Sequence, residues 1–347
     1  MEFNIYNVES TGWKAAFDLI PNELKDLNFT PEWYQTWINH EAAEPICIHF
    51  EEDGFHFLYP FFRRRIKNYN LSKEYFDIQS AYGYGGVIVS HSIIPPALGH
   101  VFNKLTSSWL HDNNIVAEFI REHPLLTSFR RKAEYNTVRK NVYIETSASY
   151  KIPDKCARQN IAKALSHNAT ILYDEECNYL PEFIKLYQMT ARRLGMHPFY
   201  NFSDDYFYKV KNLLGNHCCL IHIIKDDVII ASAMYLIYND RANLHLTASR
   251  VEYQIIRSND LLYYAAIEYS KKRGVKTLNV GGGLTADAND SLFRFKLKYA
   301  SYQKDVMVGK NILNPAVYEN LTKAWESRYP GLVKKYDNYL LKYHQQL

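Results

Sequence analysis

The chain carries one strand–turn–strand signature twice, and that repetition restricts its fold more than any single motif does. In the first half PICIHF (45–50) and FHFLYPFF (55–62) flank the polar turn EEDG. In the second, CCLIHII (218–224) and VIIASAMYLIY (228–238) flank KDD. Alternating or unbroken apolar runs bounded by polar turns read as paired strands. Each hairpin follows two helical segments, 11–20 and 31–40 in one half, 180–195 and 204–214 in the other. Each then leads to a third strand and polar loop (ending in SAYGYGGVIVS, 80–90; strand ANLHLTAS, 242–249, then loop RVEYQIIRSND), a helix (95–112; 260–273) and a buried strand (IVAEFI, 115–120; TLNV, 277–280). Pro95-Pro96 suits a first helical turn. Asn259 or Asp260 suits an N-cap, and Gly274 a helix stop.

This order predicts an α/β (α+β) chain of two related domains, each a mixed, mostly antiparallel sheet flanked by helices. The 347 residues exceed one ordinary core and suit two domains of about 150–200 residues. We place them at 1–150 and 151–347, with 154–170 as a joining helix. The C-terminal 314–347 reads as helical with a break at Pro330-Gly331.

Charge divides the halves. Residues 1–150 hold 14 Lys and Arg against 18 Asp and Glu, and residues 151–347 hold 27 against 19. A basic second half fits either a solvated surface or an anionic partner such as phosphate, pyrophosphate or RNA. Apolar runs fall short of the roughly 18–20 residues that span a bilayer. The start MEFNIYNVES lacks a basic block followed by an apolar one, so no signal peptide is expected and the expected location is cytoplasmic. The five cysteines are an odd set without C-x-x-C spacing, which argues against a disulfide framework or zinc site and for a reducing compartment. His217, His222 and His245 form no metal-ligand pattern, so no metal is expected. Without a G-x-S-x-G elbow, no serine nucleophile is assigned.

One stretch asks for a chemical explanation: LNVGGGLTADANDSLFRFKLKYA, 278–300. No Gly-Lys-Ser/Thr closes it as a P-loop, and a dinucleotide fingerprint would need glycine at Ala286. Gly281, Gly282 and Gly283 end a strand where bare backbone lets a ligand approach; a tight turn would need the same residues. Lys296 follows on an amphipathic segment.

Four stretches together resemble the Fem family, the tandem GNAT-like acyltransferases that build peptidoglycan cross-bridges, and its wider group of acetyltransferase-like envelope enzymes. SAYGYGG (80–86) is similar to the family's first-domain loop. FIKLYQMTARRLGMHPFYNFSDDYF (183–207) resembles the opening of the second domain, with Tyr187, Thr190, Arg193, Tyr200 and Phe202 in place. LHLTAS through SNDLLYYAAIEYSKKRG (244–274) resembles its third strand and helix, and the glycines with DSLF and FK resemble the C-terminal signature. The resemblance spans about residues 30–345. Two features depart from it. The long helical arm of many aminoacyl-tRNA-using members is absent, since about twenty residues separate 195 from the strand at 218. The Gly-rich loop with which acetyl-CoA-binding domains hold pyrophosphate reads QIIRSND here, although a helix N-terminus still offers N–H groups to an anion.

The resemblance implies an acyl- or aminoacyltransferase forming an amide on an amino group of a cell-envelope precursor. The acceptor is a nucleotide- or lipid-linked peptidoglycan peptide or an amino sugar of a surface glycan, and the donor is an acyl-CoA or aminoacyl-tRNA. It makes Lys296 and the Phe295 backbone the candidates that stabilise the tetrahedral intermediate, a role worth roughly 3–4 kcal/mol. In YGYGG, Tyr82 and Tyr84 stand around glycines such as Gly85 that favour a sharp, accessible turn, which reads equally as an acceptor pocket or as a turn with packed aromatics. Candidate contacts to substrate are Arg158, Tyr187, Arg193, Tyr200, Asn259 and the three glycines. Arg158, with Lys155 and Lys163, and Arg193 are suited to a pyrophosphate. Asp77, Asp287 and Asp290 are the carboxylates available as a base. Partners expected on this basis include tRNA and, without a spanning segment, peripheral contact with a membrane-bound acceptor. A non-catalytic glycan- or nucleotide-binding protein of the same fold is the alternative.

Overall fold

The computed structural model describes residues 1–126 and 129–345. The chain forms two compact units, Met1–Val138 with Val306–Leu347, and Arg139–Asp305. The first unit begins with β1 (Glu2–Asn7), α1 (Thr11–Asp18), α2 (Pro31–Glu41) and the hairpin β2 (Glu44–Glu52) and β3 (Phe55–Arg65). It continues through β4 (Phe76–Gln79), the short β5 (Ile88–Val89), α3 (Pro96–Asp112), β6 (Ile115–Arg121) and the first part of β7 (Glu134–Glu145). The second contains α4 (Lys155–Ser166), β8 (Thr170–Asp174), α5 (Leu180–Leu194), α6 (Asp204–Leu214) and the hairpin β9 (Cys218–Lys225) and β10 (Val228–Tyr238). It ends with β11 (Arg241–Ser249), α7 (Ser258–Lys272), β12 (Thr277–Gly281), α8 (Ser291–Leu297) and the start of β13 (Tyr302–Ile312). β13 returns the chain to the first unit, where α9 (Pro315–Arg328) follows.

The expected repetition is present, with β5, which pairs with β3, the strand of the first unit that has no counterpart in the second. The first unit's sheet runs β1-β2-β3-β4-β6-β13, and the second's runs β8-β9-β10-β11-β12-β7. Neighbours are antiparallel in both, except the fourth and fifth strands, β4–β6 and β11–β12, which are parallel. Each sheet takes its sixth strand from outside its own continuous run. Val308–Ile312 of β13 pairs with β6, and Val142–Glu145 of β7 pairs with β12. Local chemistry explains the hairpins. Asp53 and Gly54 have φ of 53° and 78°, Asp226 and Asp227 of 49° and 60°, the left-handed pair that matches the twist of two-residue hairpins. Thr30 caps α2 by accepting a hydrogen bond from the Trp33 amide at 3.1 Å, with Pro31 in the first turn.

Three expectations need correction. α7 starts one residue earlier than its expected cap: its N-cap is Arg257, in a left-handed conformation at φ 66°, and no side chain caps it, so neither Asn259 nor Asp260 plays that part. The C-terminal segment is α-helical only to Arg328. Beyond the Pro330-Gly331 break it forms short 3-10 turns, and residues 346–347 lie outside the described residues. Grouped with the later domain in the sequence reading, residues 306–345 instead pack in the first unit. There Leu321, Trp325, Tyr336 and Tyr343 close a buried cluster with Ile66, Tyr75 and Val116. Tyr343 donates to Asp77 Oδ1 at 2.9 Å, and His344 Nε2 lies 2.8 Å from Asp77 Oδ2. β1, β7, β8 and β13 were not foreseen.

Trp325 is fully buried, so Trp325→Ala should cost about 3–5 kcal/mol, read as a lowered urea midpoint. A loss below about 1 kcal/mol would mean that α9 adds little to this core.

Candidate active site

A fork in the second unit's sheet supplies the candidate site. β11 and β12 pair only at Arg241↔Thr277, Ala242↔Leu278 and Asn243↔Asn279. Past that point Leu244–Ser249 stays registered with β10 on one side only, while β12 stays with β7. The Asn279 amide marks the fork. Its Nδ2 donates to Asn243 Oδ1 at 2.9 Å, and its Oδ1 accepts the Gly281 amide at 2.8 Å. That second bond bridges the register shift between Asn279 and Gly281. A strand edge that loses its partner presents amide and carbonyl groups that an extended ligand can pair with.

The glycine loop leaves β12 at this fork. Gly281 has φ 73°, which other residues adopt only at a cost of about 1–3 kcal/mol. Gly282 and Gly283 serve close packing by the protein itself. A Cβ at Gly282 would lie 2.6 Å from the Lys140 carbonyl oxygen, and one at Gly283 would lie 2.5 Å from Asp290 Oδ1. The space the glycines leave is thus occupied at these two positions, where a ligand approach was expected. The bare backbone lets the Gly282 carbonyl accept a hydrogen bond from Lys296 Nζ at 2.7 Å.

α8 is fixed so that Lys296 reaches this point. Asp290 caps it by accepting from the Phe293 amide at 2.9 Å, and also accepts from the Leu284 and Thr285 amides at 3.1 Å. The Phe293 amide, followed by those two, holds its carboxyl below the usual range. Phe295 packs edge-on against Tyr263, with centroids 5.0 Å apart. The buried Tyr299 hydroxyl donates to Asp260 Oδ1 at 2.7 Å, tying the end of α8 to the first turn of α7. Desolvation, with Arg139 nearby, lowers the Lys296 pKa from 10.5 to about 8, against a smaller opposing pull from Asp290. Lys296 therefore still carries its proton at neutral pH while holding it loosely. Arg139 on β7 is the second cation here, Lys140 contributes its backbone carbonyl, and Asn141 Oδ1 would lie 3.1 Å from a Cβ at Gly282. Sequence reading missed all three, because they reach the glycine loop only through the β7–β12 pairing.

Other candidates fall elsewhere in the same unit. Tyr187 donates to the Tyr200 carbonyl at 3.0 Å. Both help line a pocket of ≈ 280 Å³ with Ala191, Arg192, Asn201 and Phe202. Arg192 faces this pocket; Arg193 sends Nη2 to the Ser249 carbonyl at 3.4 Å, at the far end of β11. Arg158 turns back on its own helix entrance, donating to the carbonyls of Ile152 and Pro153 at 2.6 and 2.8 Å. Asn259 lies in the first turn of α7. His245, expected to be isolated, has a partner in the Tyr206 hydroxyl at 2.7 Å, and burial lowers its pKa to about 3, so it stays neutral. Where a glycine-rich anion loop would stand, residues Val251–Ile256 form a 3-10 helix that ends at the left-handed Arg257.

The equivalent place in the first unit is zipped. β4 and β6 stay together beyond Gln79: the Ser80 amide donates to Phe119 at 3.1 Å, and the Gly85 amide to Arg121 at 2.7 Å. A parallel bridge then joins Gly85 to Glu122. Ser80 Oγ lies 2.8 Å from where a Gly85 Cβ would be. Tyr82 stacks on Trp37 with centroids 4.8 Å apart, and Tyr84 packs edge-on against His123 at 5.2 Å. The acceptor-loop candidates Tyr82, Tyr84 and Gly85 are thus built into this unit's closure. Asp77, a candidate base, is buried here and accepts from Ala117, Tyr343 and the His344 ring.

Comparison with known proteins finds a family match within the second unit. Residues 156–296 match the acetyltransferase (GNAT) domain family. No curated protein matches the sequence. The fold is similar to that of FemX at a TM-score of 0.66 and 14% identity, covering 92% of this chain and 99% of that one. It is similar to the C-terminal domain of a putative lysylphosphatidylglycerol synthetase from Agrobacterium fabrum, at 0.53 and 13%, covering 88% and 92%. A tandem GNAT protein from the clavulanic acid biosynthesis pathway gives 0.50 and 9%, covering 90% and 99%. Residues 156–296 therefore match an N-acyltransferase domain of the GNAT type, in a chain whose fold is similar to that of tandem GNAT proteins.

Proposed function

We infer that this protein transfers an acyl or aminoacyl group to an amino group of a cell-envelope precursor, a peptidoglycan peptide or an amino sugar of a surface glycan. The fork between β11 and β12, with Lys296 at the end of β12, carries the reading. The likenesses to FemX and to a lysylphosphatidylglycerol synthetase domain support an envelope acceptor. An extended donor, acyl-CoA or aminoacyl-tRNA, lies along β11 where it parts from β12 and presents its carbonyl at the fork. The acceptor amine attacks that carbonyl carbon, and the thioester or ester bond breaks with its electron pair leaving on the donor's sulfur or oxygen. The Lys296 ammonium stabilises the oxyanion formed in between. Donor activation makes a covalent enzyme intermediate unnecessary, so alignment provides much of the acceleration. The amine's proton passes to water. Asp290 is committed to backbone donors, and Asp287 Oδ1 accepts the Asn289 amide at 2.8 Å.

Protein incubated with labelled acetyl-CoA or aminoacyl-tRNA and an amino-sugar nucleotide or peptidoglycan precursor should yield an amide product by mass. No product from any donor would favour a binding module that kept the fold, whereas transfer from CoA alone would retire the tRNA version. Lys296→Met should lower kcat by about 10²–10³-fold with little change in KM; unchanged kcat removes Lys296 from the mechanism.

The acceptor must lose a proton and Lys296 must keep one, so kcat should fall above pH about 8. In Lys296→Arg that alkaline fall should disappear up to about pH 10. An identical alkaline limb in both proteins would assign it to another group.

The stability sign is opposite to that of a paired carboxylate. The folded-state pKa of Lys296 lies below its ordinary 10.5, so the native state gives up this proton first. This group's contribution to stability therefore rises with pH between about 8 and 10.5 and is unfavourable below. Lys296→Met should accordingly show a Tm at pH 7 no lower than wild type; a clear drop would mean that the Gly282 hydrogen bond outweighs desolvation.

A further inference from the structure

The four most exposed large apolar side chains of the second unit are Leu284, Ile255, Leu194 and Val251, at 80%, 72%, 56% and 48%. All four emerge at one edge of its sheet. β11 and β12 are parallel, so their C-terminal ends point the same way. Val251 and Ile255 follow the end of β11, and Leu284 follows the end of β12. Leu194 ends α5, which is held there by the Arg193 and Thr190 bonds to the Ser249 carbonyl, at 3.4 and 3.3 Å. Exposed arginines stand among them: Arg192 and Arg193 beside Leu194, Arg257 beside Ile255, and Arg294 on α8. The exposed carboxylates on these same segments are Glu252, Asp287 and Glu182, the last at the opposite end of α5 from Leu194. The edge is therefore aliphatic at its tips and cationic between them.

We propose that this edge docks on an anionic lipid bilayer, with Leu194, Val251, Ile255 and Leu284 entering the interfacial layer and the arginines meeting lipid phosphates. Aliphatic tips gain by leaving water for the acyl boundary, and each cation near a negatively charged surface adds about 1 kcal/mol. A single-stranded nucleic acid would instead be met by aromatic platforms in a basic groove, and none of the four tips is aromatic. No helix among the described residues is long and apolar enough to cross a membrane, so the contact is peripheral. Docking here sets the mouth of the fork against the membrane surface. It deepens the proposed function by assigning the acceptor to a lipid-linked pool.

The full chain is sedimented with vesicles of phosphatidylcholine alone and with about 30% phosphatidylglycerol, at low salt and at high salt. Binding should require the anionic lipid, weaken at high salt, and weaken about tenfold in the double variant Ile255→Ser/Leu284→Ser. Circular dichroism and an unchanged Tm establish that the variant is folded. A second variant, Arg192→Gln/Arg294→Gln, should lose the salt-sensitive part. No binding to either vesicle overturns the proposal, as does equal binding by wild type and the apolar double variant. Displacement from vesicles by polyuridylate, with RNA affinity unchanged in the apolar variant, would assign the face to nucleic acid and also overturn it. The apolar variant should turn over a soluble nucleotide-linked acceptor at the wild-type rate. Absent turnover in both proteins alongside anionic-lipid binding would sink the reaction reading and leave the membrane reading standing.

Discussion

Everything specific about this protein follows from where one parallel strand pair stops. β11 and β12 are joined over three residues and then part at Asn243 and Asn279, whose side chains bond to each other at the fork. Strand pairing normally consumes every edge amide and carbonyl. Ending it early in the middle of a sheet opens a gap between the two strands, closed at its far end where Thr190 and Arg193 bond to Ser249. The glycine loop begins two residues further along β12, so the same divergence that opens the gap also sets the Gly282 carbonyl where Lys296 finds it. Capping by Asp290 and the Tyr299–Asp260 bond hold the lysine there, at a depressed pKa that follows from desolvation.

The first unit shows what the same strand order does without that divergence. β4 and β6 are also parallel, yet residues 80–86 continue their pairing through Ser80 and Gly85 to Glu122. The aromatic residues of that loop contribute to packing, and its glycine admits Ser80. The two units thus share an architecture while only one keeps an open parallel pair. The match to the acetyltransferase domain family falls on the unit with the fork. Each sheet also takes its last strand from outside its continuous run. That makes β7 a source of groups, Arg139 through Asn141, beside a loop 140 positions further along the chain.

The repeated hairpins were legible because their signal is local: apolar runs such as CCLIHII and VIIASAMYLIY enclose a turn whose residues accept left-handed backbone. β7 and β13 were not, since the exposed first part of β7 and the polar start of β13 carry no apolar alternation, and their pairing partners lie far away in sequence. The Gly281–Gly283 run and Lys296 could be singled out from residue type and order. What they touch could not, because the atoms that occupy the space beside Gly282 and Gly283 come from Lys140 and Asp290. The start of α7 was misread for a related reason. Asn259 and Asp260 favour caps by composition, but Asp260 is taken by Tyr299 and the turn falls on Arg257.

The most direct test of this account is amide hydrogen exchange along the chain, with and without a donor that supports turnover. Protection should appear in peptides covering 244–249 and 278–283, where β11 and β12 separate, and leave 76–86 in the first unit unchanged. Protection confined to 76–86, or none at the fork with a donor that is being consumed, would contradict it.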